Sequence, residues 1–369
     1  MFKTRFAPSP TGLLHLGGLQ ACLLPYLMAL KNNGNFFLRF DDTDDRATNL
    51  FKEKIKEDLN WLGVVYDKVI SQSNRIDLYE SFMKNDRIYA CYDSDEYIEN
   101  VKQMKRLRKI APIFTREDCK EKNGIPHWRF QLNDNCSFYD ELFGQYNSKK
   151  VWSDPVIKRS DGTFTYNFVS VIDDIQENVT HIIRGQEHIA NTAMQIQMAK
   201  ILGASFTYYH FPLLLDEDGG KLSKRNNSRS LESLRVYEKW TFYSIITSIG
   251  QKQIYSTNLN DYIKHFDIYK MGKSQKKINM DWVEQTNAKI MCHTQSKEKY
   301  WNILKNNIKN QQEYFYIMEK LNNFKKTDKW NKTQYTKDEY MEMYNELLNR
   351  NYGPPINDLK IILKDMEKL

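Results

Sequence analysis

A glycine-containing loop between a short strand and a long helix constrains this fold more than any other feature of the sequence. Residues 3–7 alternate as a strand does, and the prolines and glycine of residues 8–12 then interrupt regular structure. Helical apolar spacing runs over 16–34, and a second strand and a second helix follow at 36–40 and 47–62. Units of strand, glycine loop, helix and strand build parallel sheets, whose ligands bind at the carboxyl ends of the strands. The sequence therefore predicts an α/β fold.

The remainder of the chain changes pattern twice. The recognisable segments are a basic helix at 101–110, a strand at 127–132, strand-like periodicity at 155–172, a helix at 191–202 and helical stems at 300–323 and 338–349. Residues 92–150 are otherwise irregular, which is typical of an insertion, whereas the sequence after Arg225 is almost wholly helical. We therefore expect a parallel-sheet domain with an insertion, followed by a helical region.

Charge is distributed unevenly along the 369 residues, a length that suits two or three domains. Residues 1–225 carry 30 basic and 30 acidic side chains, so the formal net charge of +7 lies wholly in residues 226–369. A Lys-rich and Asn-rich drift over solvated helix faces would explain this, and so would a surface that binds a polyanion. Charge alone leaves both interpretations open.

The cysteines and the apolar runs indicate a reducing compartment and no membrane span. Five cysteines, an odd number, are scattered and never spaced as Cys-x-x-Cys, which is typical of free thiols. The longest apolar run, residues 19–30, is interrupted by Gln20 and Pro25 and is shorter than the roughly 20 residues that cross a bilayer. The N-terminus lacks the apolar core of a signal peptide. We therefore expect a cytoplasmic protein.

The loop PSPTGLLHLGG at 8–18 suits a nucleotide. Gly12, Gly17 and Gly18 remove side chains where a base or a phosphate must approach the backbone, and the following helix N-terminus offers N–H donors to anions. His15 can donate to a phosphate oxygen whose charge grows during transfer. A tight strand-to-helix turn with a capping histidine would have the same local pattern.

A second motif, KLSKR at 221–225, follows the acidic and glycine-rich residues DEDGG. Lys221 and Lys224 on such a loop can swing onto a triphosphate and follow the leaving pyrophosphate. In isolation this pattern is more often that of a solvated basic loop.

Together, the two motifs resemble the paired ATP-binding sequences of class I aminoacyl-tRNA synthetases. RFAPSPTGLLHLGG followed by FFLRFDDTD is similar to glutamyl-tRNA synthetases in particular. The resemblance continues in the family's order through LNWLGV, QSNRIDLYESFM, SDGTFTYNFVSVIDD, HIIRGQEHIANT, FPLLLDEDGGKLSKR and, more faintly, MDWVEQTNAKI. These segments span the chain from its N-terminus to residue 290.

The resemblance implies two sets of site residues. The ATP-binding set is His15, Gly17, Gly18, Glu187, Lys221, Ser223 and Lys224, of which His15, Lys221 and Lys224 would be catalytic. The glutamate-binding set is Arg5, Ser9, Asp41, Tyr166 and Arg184. The second set suits a ligand with two carboxylates and one ammonium, because arginine matches a carboxylate bidentately and Asp41 supplies an acid. ATP would come as its Mg²⁺ complex, and no metal ligand of the protein is implied.

The resemblance also implies a domain order. A Rossmann-type catalytic domain would comprise residues 1–82 and 156–225, with a tRNA acceptor-binding domain inserted at 83–155. An all-helical C-terminal region would contact the tRNA stem through 226–295 and the anticodon through 296–369. This last region is predicted to be reduced, because the family usually carries a longer one.

Three departures from the family pattern affect these expectations. The family usually has Glu-Asp-Thr-Asp, whereas Asp41 here begins Asp-Asp-Thr-Asp, so the amino-group ligand is one methylene shorter, as in glutaminyl enzymes. Gln186 stands where the family commonly has an acid, so only Glu187 is carried over near the ATP ribose. Some relatives bind zinc in the inserted domain, but here Cys91 is followed by Asp93 and no second Cys or His pair of suitable spacing follows. We therefore expect no structural zinc.

The resemblance implies ATP-dependent attachment of L-glutamate to tRNA(Glu) by a cytoplasmic monomer, with the charging of tRNA(Gln) left open. One alternative is an enzyme that glutamylates the queuosine base of tRNA(Asp), which the intact KLSKR and the basic C-terminal region disfavour. A glutaminyl-tRNA synthetase is disfavoured by APSPTG at 7–12. A tRNA-binding relative without catalysis is disfavoured by the presence of both ATP motifs.

Overall fold

A computed structural model describes residues 1–133, 135–149, 152–220, 230–292, 337–348 and 356–365, together with the single positions 304, 313, 316, 317, 320, 321 and 354. The chain forms two compact units. The first comprises Met1–Glu232 and Phe266–Lys276, and the second comprises Ser233–His265 and Lys277–Leu369.

The described strands are β1 (Lys3–Phe6), β2 (Asn35–Phe40), β3 (Val69–Ser71), β4 (Ile88–Cys91), β5 (His127–Phe130), β6 (Asn135–Asp140), β7 (Gly144–Lys149), β8 (Val156–Lys158), β9 (His181–Gly185), β10 (Thr207–Phe211), β11 (Leu214–Leu215) and β12 (Lys276–Lys277). The described helices are α1 (Leu16–Lys31), α2 (Asn49–Leu62), α3 (Ile76–Ser81), α4 (Asp95–Leu107), α5 (Tyr166–Gln176), α6 (Ile189–Ile201), α7 (Leu231–Leu234), α8 (Lys239–Thr247), α9 (Leu259–His265), α10 (Met280–Cys292), α11 (Lys337–Leu348) and α12 (Ile356–Asp365).

Parallel strands form the centre of the first unit. β1, β2 and β3 pair in parallel in the order β1-β2-β3, with Arg5 in register with Phe37. β9 and β10 also pair in parallel, and the start of β9 lies beside β1, because the N–H of Thr180 donates to the carbonyl of Lys3 at 2.9 Å. Eleven of the 16 residues of α1 are buried, so this helix is a core element and not a surface one. The predicted α/β fold is confirmed.

Two further groups of strands extend the first unit. β6 and β7 form an antiparallel hairpin whose β6 pairs in parallel with β10, giving the order β7-β6-β10-β9. β4, β5 and β8 form a separate antiparallel sheet. Tyr89, Cys91, Ile98 and Phe114 form a small core that joins this sheet to α4. The hairpin therefore shares a sheet with β10 although it lies within residues 83–155, and the predicted domain boundaries stay a prediction.

One local prediction was wrong. The strand-like periodicity of residues 155–172 predicts extended structure, but only β8 is a strand and α5 begins at Tyr166. The run Phe168–Ile172 is buried without a break, in a core cluster that also contains Met198 and Ala199 of α6. A short, continuously apolar run does not distinguish a buried strand from a buried helix, and here packing against α6 determines the helix.

The second unit is helical in its described part, as predicted. Asn287 of α10 ties α10 to α8, because its Oδ1 accepts from the N–H of Glu238 at 2.8 Å and from the Thr241 hydroxyl at 2.9 Å. The predicted stem at 338–349 corresponds to α11, whereas most of 300–323 lies outside the described residues. In the described part of the chain, every helix is too short or too polar to cross a bilayer.

Gly34, after α1, provides a test of the packing of the first unit. A Cβ on Gly34 would lie 2.3 Å from the carbonyl oxygen of Phe2 and 2.8 Å from its Cβ. We expect Gly34→Ala to lower the free energy of unfolding in urea by about 1–3 kcal/mol, because the Phe2 backbone would have to move.

The neighbouring Asn33 is the matched control. Its φ of 47° lies in the left-handed region that glycine adopts without strain. Asn33→Gly is therefore expected to change the free energy of unfolding by less than about 1 kcal/mol. Equal stability of Gly34→Ala and the parent protein would contradict the close approach to Phe2.

Candidate functional site

A cavity of about 660 Å³ opens near the carboxyl ends of β1, β9 and β10. It brings together eight of the twelve predicted site residues: Arg5, Ser9, His15, Gly17, Gly18, Tyr166, Arg184 and Glu187. These residues come from positions 5 to 187 of the chain, and the parallel sheet collects them because the strands end at one edge.

His15 caps the N-terminus of α1 at this cavity. Its backbone is extended, and its Nδ1 accepts a hydrogen bond from the N–H of Gly17 at 3.2 Å. A ring nitrogen that accepts carries no proton, so Nε2 bears the proton and is the nitrogen that can donate. Gly18 is closely packed, since a Cβ there would lie 3.1 Å from Leu14 Cδ2. The cavity is therefore lined by a helix N-terminus and a donor histidine, an arrangement that suits an anion.

Glu187 lies on the turn that follows β9. Its carboxylate folds back over Gly185, where a Cβ would lie 2.0 Å from Glu187 Oε2. Gly185 thus leaves room for an acid at the rim of the cavity, and a larger residue there would displace it.

Arg184 is almost fully buried and is held by polar partners. Its NH2 group donates to the Thr192 hydroxyl and its NH1 group to the Tyr166 hydroxyl at 3.5 Å, while Nε lies 3.4 Å from His210 Nε2. Tyr166 and Arg184, both predicted from the sequence, are therefore in contact.

His210 contacts Arg184 but does not itself line the cavity. Its Nδ1 lies 2.7 Å from Asp140 Oδ2, and a carboxylate only accepts, so Nδ1 carries the proton and Nε2 faces Arg184 as an acceptor. Burial lowers the pKa of His210, although Asp140 opposes this, and the ring stays neutral beside the guanidinium. Neither His210 nor Asp140 was predicted from the sequence as a site residue.

Asp41 lines a neighbouring cavity of about 580 Å³. Ser9, Tyr166 and His188 line both cavities, so the two are contiguous at these side chains. Asp41 therefore lies next to the other predicted glutamate-binding residues, but it lines the neighbouring cavity and not the one that contains Arg5 and Arg184.

The carboxylate of Asp41 is held by Arg39. Arg39 Nε donates to Asp41 Oδ1 at 2.7 Å, and Arg39 NH2 donates to Oδ2 at 3.3 Å. Burial raises the pKa of Asp41 to about 6, and the Arg39 guanidinium limits that rise. Asp41 is thus mainly ionised at neutral pH but titrates close to it.

Arg5 is engaged by Asp174. Its Nε and NH2 donate to the two carboxylate oxygens of Asp174 at 2.9 and 3.2 Å, and both side chains are buried. Burial by itself would raise the pKa of Asp174, but Arg5 and Arg39 lower it below its usual range. Asp174 is therefore a carboxylate that holds one edge of the Arg5 guanidinium.

The next acid after Asp41 serves the local structure. Asp42 accepts from Lys52 and from the backbone and hydroxyl of Ser73. Burial opposes ionisation of Asp42, yet these donors lower its pKa. Asp42 therefore joins the loop after β2 to α2 and to the turn after β3.

The KLSKR motif lies outside the described residues, and with it lie the predicted Lys221, Ser223 and Lys224. Both flanks of the motif are described. Leu214, on the N-terminal side, lines the cavity, and Ser230, on the C-terminal side, forms a β-bridge with His15. The chain therefore passes close to the cavity on both sides of this segment, at Leu214 and at Ser230.

Arg39 and Asp174 are functional candidates that the sequence analysis missed. A usable signal was present, because Arg39 stands within the apolar run FFLRF and Asp174 ends VSVIDD. Charged residues inside apolar runs are rarely buried unless they are paired. The sequence did not indicate the pairing, since the partners are 135 positions apart.

A thiol cluster lies in the β4-β5-β8 region. Cys91, Asp93 and Cys119 each offer one possible metal ligand, and these atoms lie within 4.8 Å of one another. Asp93 already accepts from the N–H groups of Lys120 and Glu121 at 3.2 and 3.1 Å. Burial and the nearby Cys91 raise the pKa of Cys119 to about 12, so it is a protonated thiol. Sequence spacing missed this cluster because its cysteines are 28 positions apart.

The amino-acid sequence matches known proteins over most of its length. The family model described as "tRNA synthetases class I (E and Q), catalytic domain" matches residues 1–286. Glutamate--tRNA ligase 2 of Gluconobacter oxydans is 38% identical in an alignment of 341 positions that covers 83% of this chain and 77% of that protein. Glutamate--tRNA ligase 1 of Ehrlichia chaffeensis is 40% identical in an alignment of 310 positions that covers 78% of this chain and 70% of that protein.

Solved structures share the fold. A glutamate tRNA ligase from Elizabethkingia meningosepticum, crystallised in complex with its amino acid, superposes with a TM-score of 0.73 at 22% identity, covering 100% of this chain and 97% of that one. The glutamate-tRNA synthetase of Elizabethkingia anophelis gives the same TM-score at 21% identity. From its match to the family model over residues 1–286 and from relatives that are 38% and 40% identical, the chain belongs to the E and Q family of class I tRNA synthetases.

Proposed function

We propose that this chain attaches L-glutamate to the 3′ end of tRNA(Glu) in an ATP-dependent reaction. The observation that carries the proposal is one cavity lined by two arginines, a glycine-rich helix N-terminus and a donor histidine, with an aspartate in the contiguous cavity. Its curated relatives are named glutamate--tRNA ligases, and this chain covers 70–77% of the two described above.

The chemistry needs no protein nucleophile. An oxygen of the glutamate α-carboxylate attacks the α-phosphate of Mg²⁺-ATP, the bond to the bridging oxygen breaks, and pyrophosphate leaves. A ribose hydroxyl of the terminal adenosine of tRNA then attacks the acyl carbon of the glutamyl-adenylate, and AMP leaves with the ester formed. The protein contributes positioning and charge stabilisation.

The ATP side of the cavity supplies hydrogen-bond donors. His15 Nε2 bears the ring proton, and the N–H groups at the start of α1 point toward an anion bound at the helix N-terminus. Gly17 and Gly18 admit the nucleotide, and Glu187 is the candidate acid near its ribose. Lys221, Ser223 and Lys224 are proposed to act on the phosphates, which is consistent with the position of Leu214 and Ser230, before and after their segment, close to the cavity.

The glutamate side supplies charges that complement the ligand. Arg5 and Arg184 are the proposed partners of its carboxylates, with Ser9 and Tyr166 completing the hydrogen bonds. Asp41 is the proposed partner of its ammonium. A ligand with two negative groups and one positive group matches this set, whereas glutamine would offer one of the two arginines a neutral amide in place of a carboxylate.

The remaining assignments extend this proposal. We propose residues 83–155 as the acceptor-binding domain, 226–295 as the stem-contact domain and 296–369 as an anticodon-binding region, in a cytoplasmic monomer. The described helix α10 crosses the end of the matched catalytic region at residue 286, and α11 and α12 lie beyond it, which disfavours the queuosine-modifying alternative.

Charging assays test the proposed function. Purified tRNA(Glu), tRNA(Gln) and tRNA(Asp) are each incubated with the full chain, ATP, Mg²⁺ and labelled glutamate or glutamine. We expect label from glutamate on tRNA(Glu), none from glutamine, and pyrophosphate release in step with charging. Label on tRNA(Asp) would support the queuosine alternative, and transfer of glutamine alone would support a glutaminyl enzyme. The same assay decides whether tRNA(Gln) is also charged.

The pKa of Asp41 predicts a pH dependence of glutamate binding. Because burial raises this pKa to about 6, acidification removes the charge that would pair with the ammonium. The KM for glutamate is expected to rise about fourfold as pH falls from 7.5 to 5.5, from the fraction of Asp41 that remains ionised. Asp41→Asn is the control: its KM should be high and constant over this range. A flat profile for the parent protein would exclude Asp41 as the ammonium partner.

We expect the purified protein to contain no stoichiometric zinc. Within the described residues the thiol cluster offers three donors, whereas a closed structural zinc site has four. Elemental analysis of the chain purified without chelators should give well below one zinc per chain. Cys119→Ser should leave both metal content and melting temperature nearly unchanged. One tightly bound zinc per chain, lost in that variant, would contradict this expectation.

A further inference from the structure

Arg39 and Asp174 are buried charges at the site to which the proposed chemistry gives no task. Arg39 is fully buried and Asp174 is 2% exposed. Neither residue lines either of the two cavities. Burying a charge is costly unless it is paired, so their presence beside a binding site calls for an explanation.

Arg39 uses all five of its N–H groups. Two donate to the carboxylate of Asp41, one to Asp174 Oδ1 at 2.7 Å, one to the Ser170 hydroxyl at 2.9 Å and one to the Ser170 carbonyl at 3.4 Å. A guanidinium has five N–H donors in a rigid fork. Arg39 therefore has no donor left for a ligand, and it acts only through the groups that it holds.

Asp174 joins Arg39 to Arg5. Its Oδ1 accepts from both Arg5 Nε and Arg39 NH1, and its Oδ2 accepts from Arg5 NH2. The result is an unbroken chain of charged hydrogen bonds, Arg5–Asp174–Arg39–Asp41, which we call the relay. Its two positive and two negative charges balance, so the relay is neutral within itself.

The two ends of the relay are the proposed partners of opposite charges on the ligand. Asp174 takes one edge of the Arg5 guanidinium, which leaves NH1 and the second N–H of NH2 for a carboxylate. Arg39, which lines neither cavity, holds the carboxylate of Asp41, which lines the 580 Å³ cavity. The distance between the anion-binding and the cation-binding end is thus set by buried side chains and not by flexible ones.

We propose that Asp174 and Arg39 are positioning residues that fix the spacing between Arg5 and Asp41, and thereby select the length of the amino-acid substrate. This inference rests on the proposed function. A ligand with an ammonium and a side-chain carboxylate must span both ends, and aspartate is shorter than glutamate by one methylene. A rigid relay excludes the shorter acid, because one of its charges would remain buried without a partner.

Asp174→Asn is the principal test. Asparagine has the same shape but lacks the charge that holds two guanidinium groups. In charging assays with the full chain at saturating ATP and tRNA(Glu), we expect the KM for glutamate to rise about tenfold and the KM for ATP to change less than twofold. Inhibition by L-aspartate, relative to the KM for glutamate, should strengthen several-fold.

Asp173→Asn is the matched control, because Asp173 is the preceding residue on α5 and is equally buried. Its carboxylate accepts from Arg75, Gln72 and Tyr79, none of which lines either cavity. The distance from Arg39 Nε to Asp173 Oδ2 is 3.9 Å, which is too long for a hydrogen bond. Both variants should lose thermal stability, but only Asp174→Asn should change the KM for glutamate. Equal changes of KM in both variants would show a merely structural effect and overturn the proposal.

If Asp174→Asn does not fold, a milder variant tests the positioning role of Arg39. Ser170→Ala removes one hydrogen bond to Arg39 and leaves every charge in place. We expect it to raise the KM for glutamate about threefold, and an unchanged KM would overturn the proposal. If the parent protein charges tRNA(Glu) and the variants keep its selectivity between glutamate and aspartate, the role proposed for the relay is refuted but the proposed function is not. A parent protein that never activates glutamate would refute the proposed function as well.

Discussion

The buried charge of Arg39 is the constraint on which the organisation of the site depends. A guanidinium with no exposed surface is tolerated only where carboxylates and polar groups meet it from all sides. Asp41 is only two residues from Arg39 in the sequence, whereas Asp174 and Ser170 belong to α5. Arg39 therefore ties the carboxyl end of β2 to that helix. The bonds of Arg39 therefore add an electrostatic tie between β2 and α5 to the apolar packing of that helix, and they orient the carboxylates of Asp41 and Asp174.

The parts of the fold that the sequence predicts are those determined by local residues. Prolines, glycines and apolar spacing mark the loop before α1 and the strand β2 within one or two residues, because turn chemistry and helix capping act over short distances. The helix α5 could not be predicted in this way. Its buried run Phe168–Ile172 is compatible with strand or helix, and only the contacts with α6 distinguish the two.

The residues of the candidate site fall into the same two groups, those that local sequence identifies and those that depend on distant partners. Arg5, His15 and Arg184 could be assigned from the family motifs, and the structure brings all three to one cavity near the edge where parallel strands terminate. Asp174 and His210 could not be assigned, since their effect passes through partners more than 25 positions away in the chain. Motifs thus identify the groups that line the cavity, whereas the groups that hold them in place depend on tertiary pairing.

Asp41 has one methylene less than the glutamate usual in this family, and its surroundings give the difference a physical meaning. Its carboxylate is chelated by Arg39, whose five N–H groups are all engaged and cannot follow a longer side chain. A glutamate at this position would leave that chelation or displace Arg39 from Asp174. The shorter acid and the fully engaged guanidinium are therefore matched to each other. Because Asp41 remains close to Arg39, the proposed substrate must reach it past Ser9 and Tyr166, the side chains that line both cavities.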